Sequence, residues 1–136
     1  MRLFLNNGEA NGNQFISSET LELMKTNQIG DLNYEFQPTY NPSLIHAHEW
    51  YPNIKKKFTY GFLTNLEDLP GGRKAGSLAW SGICNTYFWI DPYSGIAGTA
   101  MMQLSPHYDK RCISILEALE KASYSELDVL NNWSAT

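Results

Sequence analysis

The sequence predicts an α+β chain in which a partial antiparallel sheet of three to four strands is covered by a carboxy-terminal helix. Three observations carry that prediction. Two apolar runs, residues 86–90 and 96–102, are joined by Asp91-Pro92-Tyr93-Ser94-Gly95, which is aromatic and β-branched strand chemistry on either side of a turn. A third short extended run, 76–80, precedes them and ends at Trp80-Ser81-Gly82. Beyond the strands, Cys112, Ile115, Leu116, Leu119 and Ala122 recur at helical spacing. Within the central run Thr86, Phe88 and Ile90 would face one way and Tyr87 and Trp89 the other, the pattern of a strand buried on both faces.

The remaining elements follow in chain order. Residues 1–5 read as the last turn of a helix stopped by Asn6-Asn7-Gly8, so the chain is expected to be a partial domain, 1–136. Ser17 is placed to cap a helix over 18–25, because its hydroxyl can accept an otherwise unpaired amide, and Glu19 and Glu22 suit the positive helix end. Leu21 and Met24, with Leu23 beside them, give that helix its apolar stripe. Residues 29–57 show little periodicity, and Pro38, Pro42 and Pro52 interrupt any regular element, so a long connection forming a lid or rim is expected.

His46, His48 and Glu49 fall in that connection and are expected to be solvated, since no third ligand stands at usable spacing for a metal. Lys55-Lys56-Lys57 reads as a solvated run. Residues 58–63 read as a strand around Gly61, and Pro70-Gly71-Gly72 as a turn with no phosphate-cradle context. After the hairpin, Ser105-Pro106 closes the strand and Asp109 caps a helix over 110–122, with a polar, frayed tail behind it.

Composition narrows the function classes. A net charge of -4 and a pI near 5.3 argue against nucleic acid or an anionic membrane surface as partner. With 13% aromatic and only 18% charged residues, the chain has the apolar content to fold. Its length allows roughly two-thirds of the unfolded surface to be buried. No amino-terminal apolar segment of signal or membrane length is present, which favours a cytoplasmic location. Cys84 and Cys112 lie far apart with no C-x-x-C, so two reduced thiols are expected. No cofactor motif is found.

One run of residues goes further. PGGRKAGSLAWSG, followed directly by NTYFWIDP and then IAGTAMMQL, resembles the carboxy-terminal third of the serine β-lactamase and penicillin-binding-protein superfamily in its esterase and transesterase branch. LFLNNGEANG, FISSETLELMKTNQIGDL and YGFLTNLEDLPGG resemble successive segments of the same family, in the family's order. The resemblance implies an antiparallel sheet flanked by terminal helices, an all-helical lobe, and an active site between the two. It also implies three catalytic elements: a Ser followed three residues later by Lys, a Tyr-x-Asn, and a strand element that reads Trp-x-Gly in the esterase branch.

Trp80-Ser81-Gly82 is similar to that third element, which makes Trp80, Ser81 and Gly82 the candidate substrate-binding residues. The backbone N–H of Ile83 is then the candidate for one half of an oxyanion hole. The first element is missing, because no Ser in the chain is followed three residues later by Lys. Tyr51-Pro52-Asn53 matches Tyr-x-Asn by letters but sits downstream of the family's position and is read as coincidence.

The resemblance therefore implies acyl transfer on an ester or amide small molecule, with no cofactor and no metal. Lacking the attacking group, the chain is expected to be inactive by itself. An alternative is a non-catalytic piece that complements a separate chain or self-associates through an uncovered sheet edge. A third reading, an independent hydrolase, would rest on Cys84, for which no activating base is evident.

Overall fold

A computed structural model describes the backbone of residues 1–134 and the side chains of residues 1–127. The chain opens with a single helical turn, α1 (Arg2–Leu5), a two-residue hairpin of β1 (Glu9–Ala10) and β2 (Asn13–Gln14), and helix α2 (Ser18–Lys25). Five further strands follow: β3 (Lys56–Phe58), β4 (Leu63–Asn65), β5 (Leu78–Gly82), β6 (Thr86–Asp91) and β7 (Ile96–Ala100). They pair antiparallel with their sequence neighbours, in the order β3-β4-β5-β6-β7, and α3 (Lys110–Ser134) closes the chain. The α+β class and the antiparallel sheet with its terminal helix are as expected, and the sheet is wider than the three to four strands read from sequence.

The extra strand comes from residues 58–63, which do not form one strand. Phe58 ends β3 and Leu63 begins β4, with Thr59 N–H donating to the Phe62 carbonyl at 2.8 Å between them. Gly61 thus lies in a turn, and Lys56-Lys57, read as solvated, form the outer strand of the hairpin. Lys56 is buried because its ammonium is fully engaged: Nζ donates to the carbonyls of Ile54 at 2.7 Å and Tyr51 at 2.9 Å, and lies 3.4 Å from Glu49. A charged group can sit out of water only when it is paired and hydrogen-bonded in this way.

The hairpin of β6 and β7 is the centre of the sheet's packing. Trp89 pairs with Gly98 across the strands, and the indole lies where any side chain at 98 would sit, since a Cβ there would overlap the six-membered ring. Trp89, Tyr87, Ala79 and Leu63 then meet Trp50 from the long connection and Cys112 and Leu116 from α3 in one apolar core. The hairpin turn is fixed by Asp91, whose Oδ1 accepts the amides of Tyr93 and Ser94 at 3.0 and 3.1 Å. Its Oδ2 accepts the Lys74 amide at 2.9 Å and the Tyr124 hydroxyl at 3.0 Å, tying turn, loop and helix to one carboxylate.

Both helix starts obey the capping chemistry expected of them. Ser17 Oγ accepts the Thr20 amide at 3.2 Å, and Asp109 Oδ1 accepts the Arg111 amide at 2.9 Å. The buried stripe of α3 differs from the apolar one read in the sequence. Ile115 and Leu119 are exposed, and the residues turned inward are Cys112, Leu116, Glu120 and Tyr124, spaced by four. Glu120 takes an inward position because the buried Arg73 requires an anion there. The helix also continues through the tail expected to fray, as far as Ser134; Ala135 and Thr136 lie outside the described residues. Cys84 and Cys112 are both free thiols. Among the described residues no helix is long and apolar enough to cross a membrane.

Candidate functional site

Trp80, Ser81 and Gly82 form the last part of β5, in register with β6 through the pairs Trp80↔Phe88, Ser81↔Tyr87 and Gly82↔Thr86. Ile83 follows the strand's last residue and opens a tight turn closed by the Asn85 amide on the Gly82 carbonyl at 3.1 Å, with Asn85 at φ 61°. Gly82 and Ile83 are exposed, while Trp80 and Ser81 are half-buried. The four residues therefore share one strand end that opens to solvent at its tip.

The long 29–57 connection packs against this strand end. The Trp80 indole stacks parallel to Trp50 (centroids 6.4 Å apart, 14° between planes) and meets Phe58 and Tyr34 edge-on at 4.9 and 6.3 Å. The rim expected from the lack of periodicity is thus an ordered aromatic wall. Its histidines are half-buried, contrary to the solvated reading. The His48 ring stacks on Tyr108 at 4.3 Å, its Nδ1 lies 2.9 Å from the His46 carbonyl oxygen, and its Nε2 lies 3.5 Å from the Tyr34 hydroxyl. Burial, reinforced by Tyr108 and Glu49, pushes the Tyr34 phenol up to about 12.

A residue that sequence reasoning missed completes the site. His107 Nε2 lies 3.3 Å from Ser81 Oγ. The imidazole is buried between Tyr87, on which it stacks at 5.7 Å, and His48, whose ring meets it edge-on at 5.7 Å. Its Nδ1 is buried without a hydrogen-bond partner. Burial lowers the His107 pKa below the ordinary imidazole value, His48 lowers it further, and the Gly82 carbonyl acts in the opposite direction.

What places His107 there is the wholly buried Asn85. Its side-chain amide donates to the carbonyls of Leu104 and Pro106, both at 2.8 Å, and its oxygen accepts from the Tyr87 hydroxyl at 2.6 Å and the Asp109 amide at 3.2 Å. One side chain in the β5–β6 turn thereby fixes the segment 104–109 against the strand end. His46, His48 and His107 come together here, yet no set of three or more ligating side chains among the described residues could hold a metal ion.

A cleft of about 500 Å³ lies elsewhere, between residues 51–54, the 69–72 turn and α3. Tyr51 and Glu120 line it, and the Tyr51 hydroxyl donates to Glu120 Oε2 at 3.1 Å and accepts from Arg73, which itself pairs with Glu120. Burial raises the Tyr51 pKa further than the Arg73 guanidinium lowers it, so that phenol stays protonated and committed to its two partners. Tyr51-Pro52-Asn53, which matched a catalytic element by letters, thus lines this cleft and not the Trp80–Ile83 strand end.

No family model matches the sequence. Curated relatives do. The chain is 35% identical over 75 residues to the monacolin J acid methylbutanoyltransferase of Aspergillus terreus (strain NIH 2624 / FGSC A1156), covering 54% of this chain and 18% of that protein. It is 33% identical over 82 residues to the ML-236A carboxylate methylbutanoyltransferase mlcH of Penicillium citrinum, covering 59% and 20%. The chain thus spans about a fifth of the length of these relatives. Among solved structures, unliganded selenomethionyl simvastatin synthase (LovD) from Aspergillus terreus superposes with a TM-score of 0.67 at 22% identity, over 91% of this chain and 31% of that one. The LovD6 mutant gives 0.68 at 22% identity, over 93% and 31%. Over a little more than half of its length this chain is thus similar in sequence to methylbutanoyltransferases, and its fold is that of the carboxy-terminal part of the LovD structures, a β-lactamase- and penicillin-binding-protein-like transesterase fold.

Proposed function

We propose that this chain is a single partial domain that forms one wall of an acyl-transfer site and is inactive by the family's route on its own. The observation that carries the reading is the strand end itself. Trp80-Ser81-Gly82 runs in register beside β6 and leaves Ile83 at an exposed turn, where its N–H can face a developing oxyanion. No Ser followed three residues later by Lys stands anywhere in the 136 residues. An oxyanion donor stabilises a tetrahedral intermediate but cannot create one without a nucleophile. Trp80 and Ser81 would contact the acyl group of an ester or amide small molecule, with Trp50, Phe58 and Tyr34 holding the indole in place.

The test is steady-state hydrolysis of a chromogenic ester by the purified chain, alone and mixed with a polypeptide carrying the Ser-x-x-Lys half of a methylbutanoyltransferase. No turnover alone and turnover on mixing is the expected result. Multiple turnovers by the chain alone would overturn the reading.

A second reading, an assembly piece that complements another chain or self-associates, is favoured by the position of β7. It ends the strand order, so only one of its edges is paired within the sheet, and Met101 just beyond it is 80% exposed. Light scattering across a concentration series decides this: a monomer at every concentration and with every added half would remove it.

A further inference from the structure

Ser81 was read from sequence only as a residue that touches substrate, and His107 was not read at all. The structure puts the Ser81 hydroxyl 3.3 Å from His107 Nε2, within reach of proton transfer. We infer that Ser81 is itself an acyl-accepting nucleophile, with His107 as its base and an activated carboxylic ester as the reacting class. This goes beyond the proposed function, in which attack comes from a Ser-x-x-Lys outside the chain.

Three features beside the distance support it. Ser81 is half-buried, not sealed in the core, and is followed by the exposed Gly82 and Ile83, so the strand end that carries it reaches the surface. The imidazole is held from both sides, stacked on Tyr87 and edge-on to His48, in a segment pinned by Asn85, so its nitrogen is kept in place before any ligand arrives. Burial favours the neutral imidazole, the form that can accept a proton at neutral pH. The groups facing His107 are Ser81 and the Gly82 carbonyl from β5, Tyr87 from β6, His48 from the long connection and the adjacent Tyr108; none of these is a carboxylate or an ammonium.

In the step, a lone pair on Ser81 Oγ attacks the ester carbonyl carbon and the Oγ proton passes to His107 Nε2. The tetrahedral intermediate collapses, the bond to the leaving oxygen breaks, and an alkoxide or aryloxide departs with the electron pair. That oxygen takes a proton from the imidazolium or from water, leaving O-acyl Ser81 and neutral His107. The Ile83 N–H stands two residues on, at the exposed turn, as a donor for the intermediate's oxyanion.

The experiment treats the full chain with p-nitrophenyl acetate and, separately, with a fluorophosphonate, and maps the adduct by peptide mass spectrometry. The expected result is one equivalent of p-nitrophenolate and a single acetyl on Ser81, none in Ser81→Ala. His107→Phe, which keeps the ring stack, should slow acetylation about 100-fold, the scale of a lost general base. The rate should rise with pH through a value below the ordinary imidazole pKa, and urea-unfolded chain should not react at Ser81. Adducts on Cys84 or lysines with Ser81 unmodified would overturn the inference, as would equal rates for wild type and His107→Phe. Because mapping is done on the wild-type chain, misfolding of a variant cannot hide the answer. Turnover on mixing with a Ser-x-x-Lys half while Ser81 stays unmodified would sink this inference and leave the proposed function standing. Acylation of Ser81 without complementation would do the reverse.

Discussion

Arg73 and Glu120, one in the loop before β5 and the other on α3, form an ion pair 2.8 Å long with side chains only 3% and 7% exposed. The guanidinium also lies over the Tyr51 ring, 4.8 Å from its centroid. This triad joins three segments that share no sheet pairing. Removing one partner leaves the other charge buried and unpaired, so Glu120→Ala should destabilise the fold by about 3–5 kcal/mol. A urea titration followed by tryptophan fluorescence measures it; a change under about 1 kcal/mol would mean that water reaches Arg73.

Gly98 and Trp89 make the corresponding prediction for the sheet. A methyl group at 98 has no room beneath the indole, and Trp89, nearly fully buried, has nowhere to swing. Gly98→Ala should cost roughly 1–3 kcal/mol by overpacking, in spite of the entropic gain that alanine normally brings. The pair Gly98→Ala with Trp89→Phe should recover part of the loss, and additive costs in that double mutant would contradict the overlap.

Asp91 is the third test. Asp91→Ala removes the acceptor for three amides and the Tyr124 hydroxyl at once and should cost more than Tyr124→Phe, which loses only one of those bonds, about 1 kcal/mol. Hydrogen exchange of the Tyr93 and Ser94 amides should accelerate in the first variant and stay slow in the second.

The fourth concerns pH. The His107 pKa is lower in the folded chain than in the unfolded one. The unfolded state therefore binds more protons as pH falls through the ordinary imidazole range, and stability is lost from about pH 6.5 downward until the folded pKa is passed. Denaturation midpoints of wild type and His107→Phe between pH 8 and pH 5 should diverge, with the wild type falling more steeply. Parallel curves would show that His107 titrates alike in both states. Asp109, held down to about 2 by the side chain and amide of Arg111, adds its own loss only below about pH 4.

Much of the fold was legible because it is encoded between neighbours along the chain. The β6–β7 hairpin is written in its Asp-Pro-Tyr-Ser-Gly turn, and both helix starts in the side chains of Ser17 and Asp109. Trp80-Ser81-Gly82 could be placed at a strand end because the run before it and the turn after it are local signals. The 58–63 hairpin was misread because Gly61 fits a strand flaw as well as a turn.

By itself the sequence determined the α+β class, the central hairpin, the two capped helices, the motif strand and the lack of a Ser-x-x-Lys. Tertiary structure alone decided that Lys56 goes inside, that Glu120 displaces Ile115 and Leu119 from the buried face of α3, and that His107 meets Ser81 from 26 residues away. The physical reason is the same in each case. Periodicity tells which residues share a face of one element, whereas the partner of a buried polar group is fixed by how separate elements pack, and burying a charge or an imidazole depends on finding that partner.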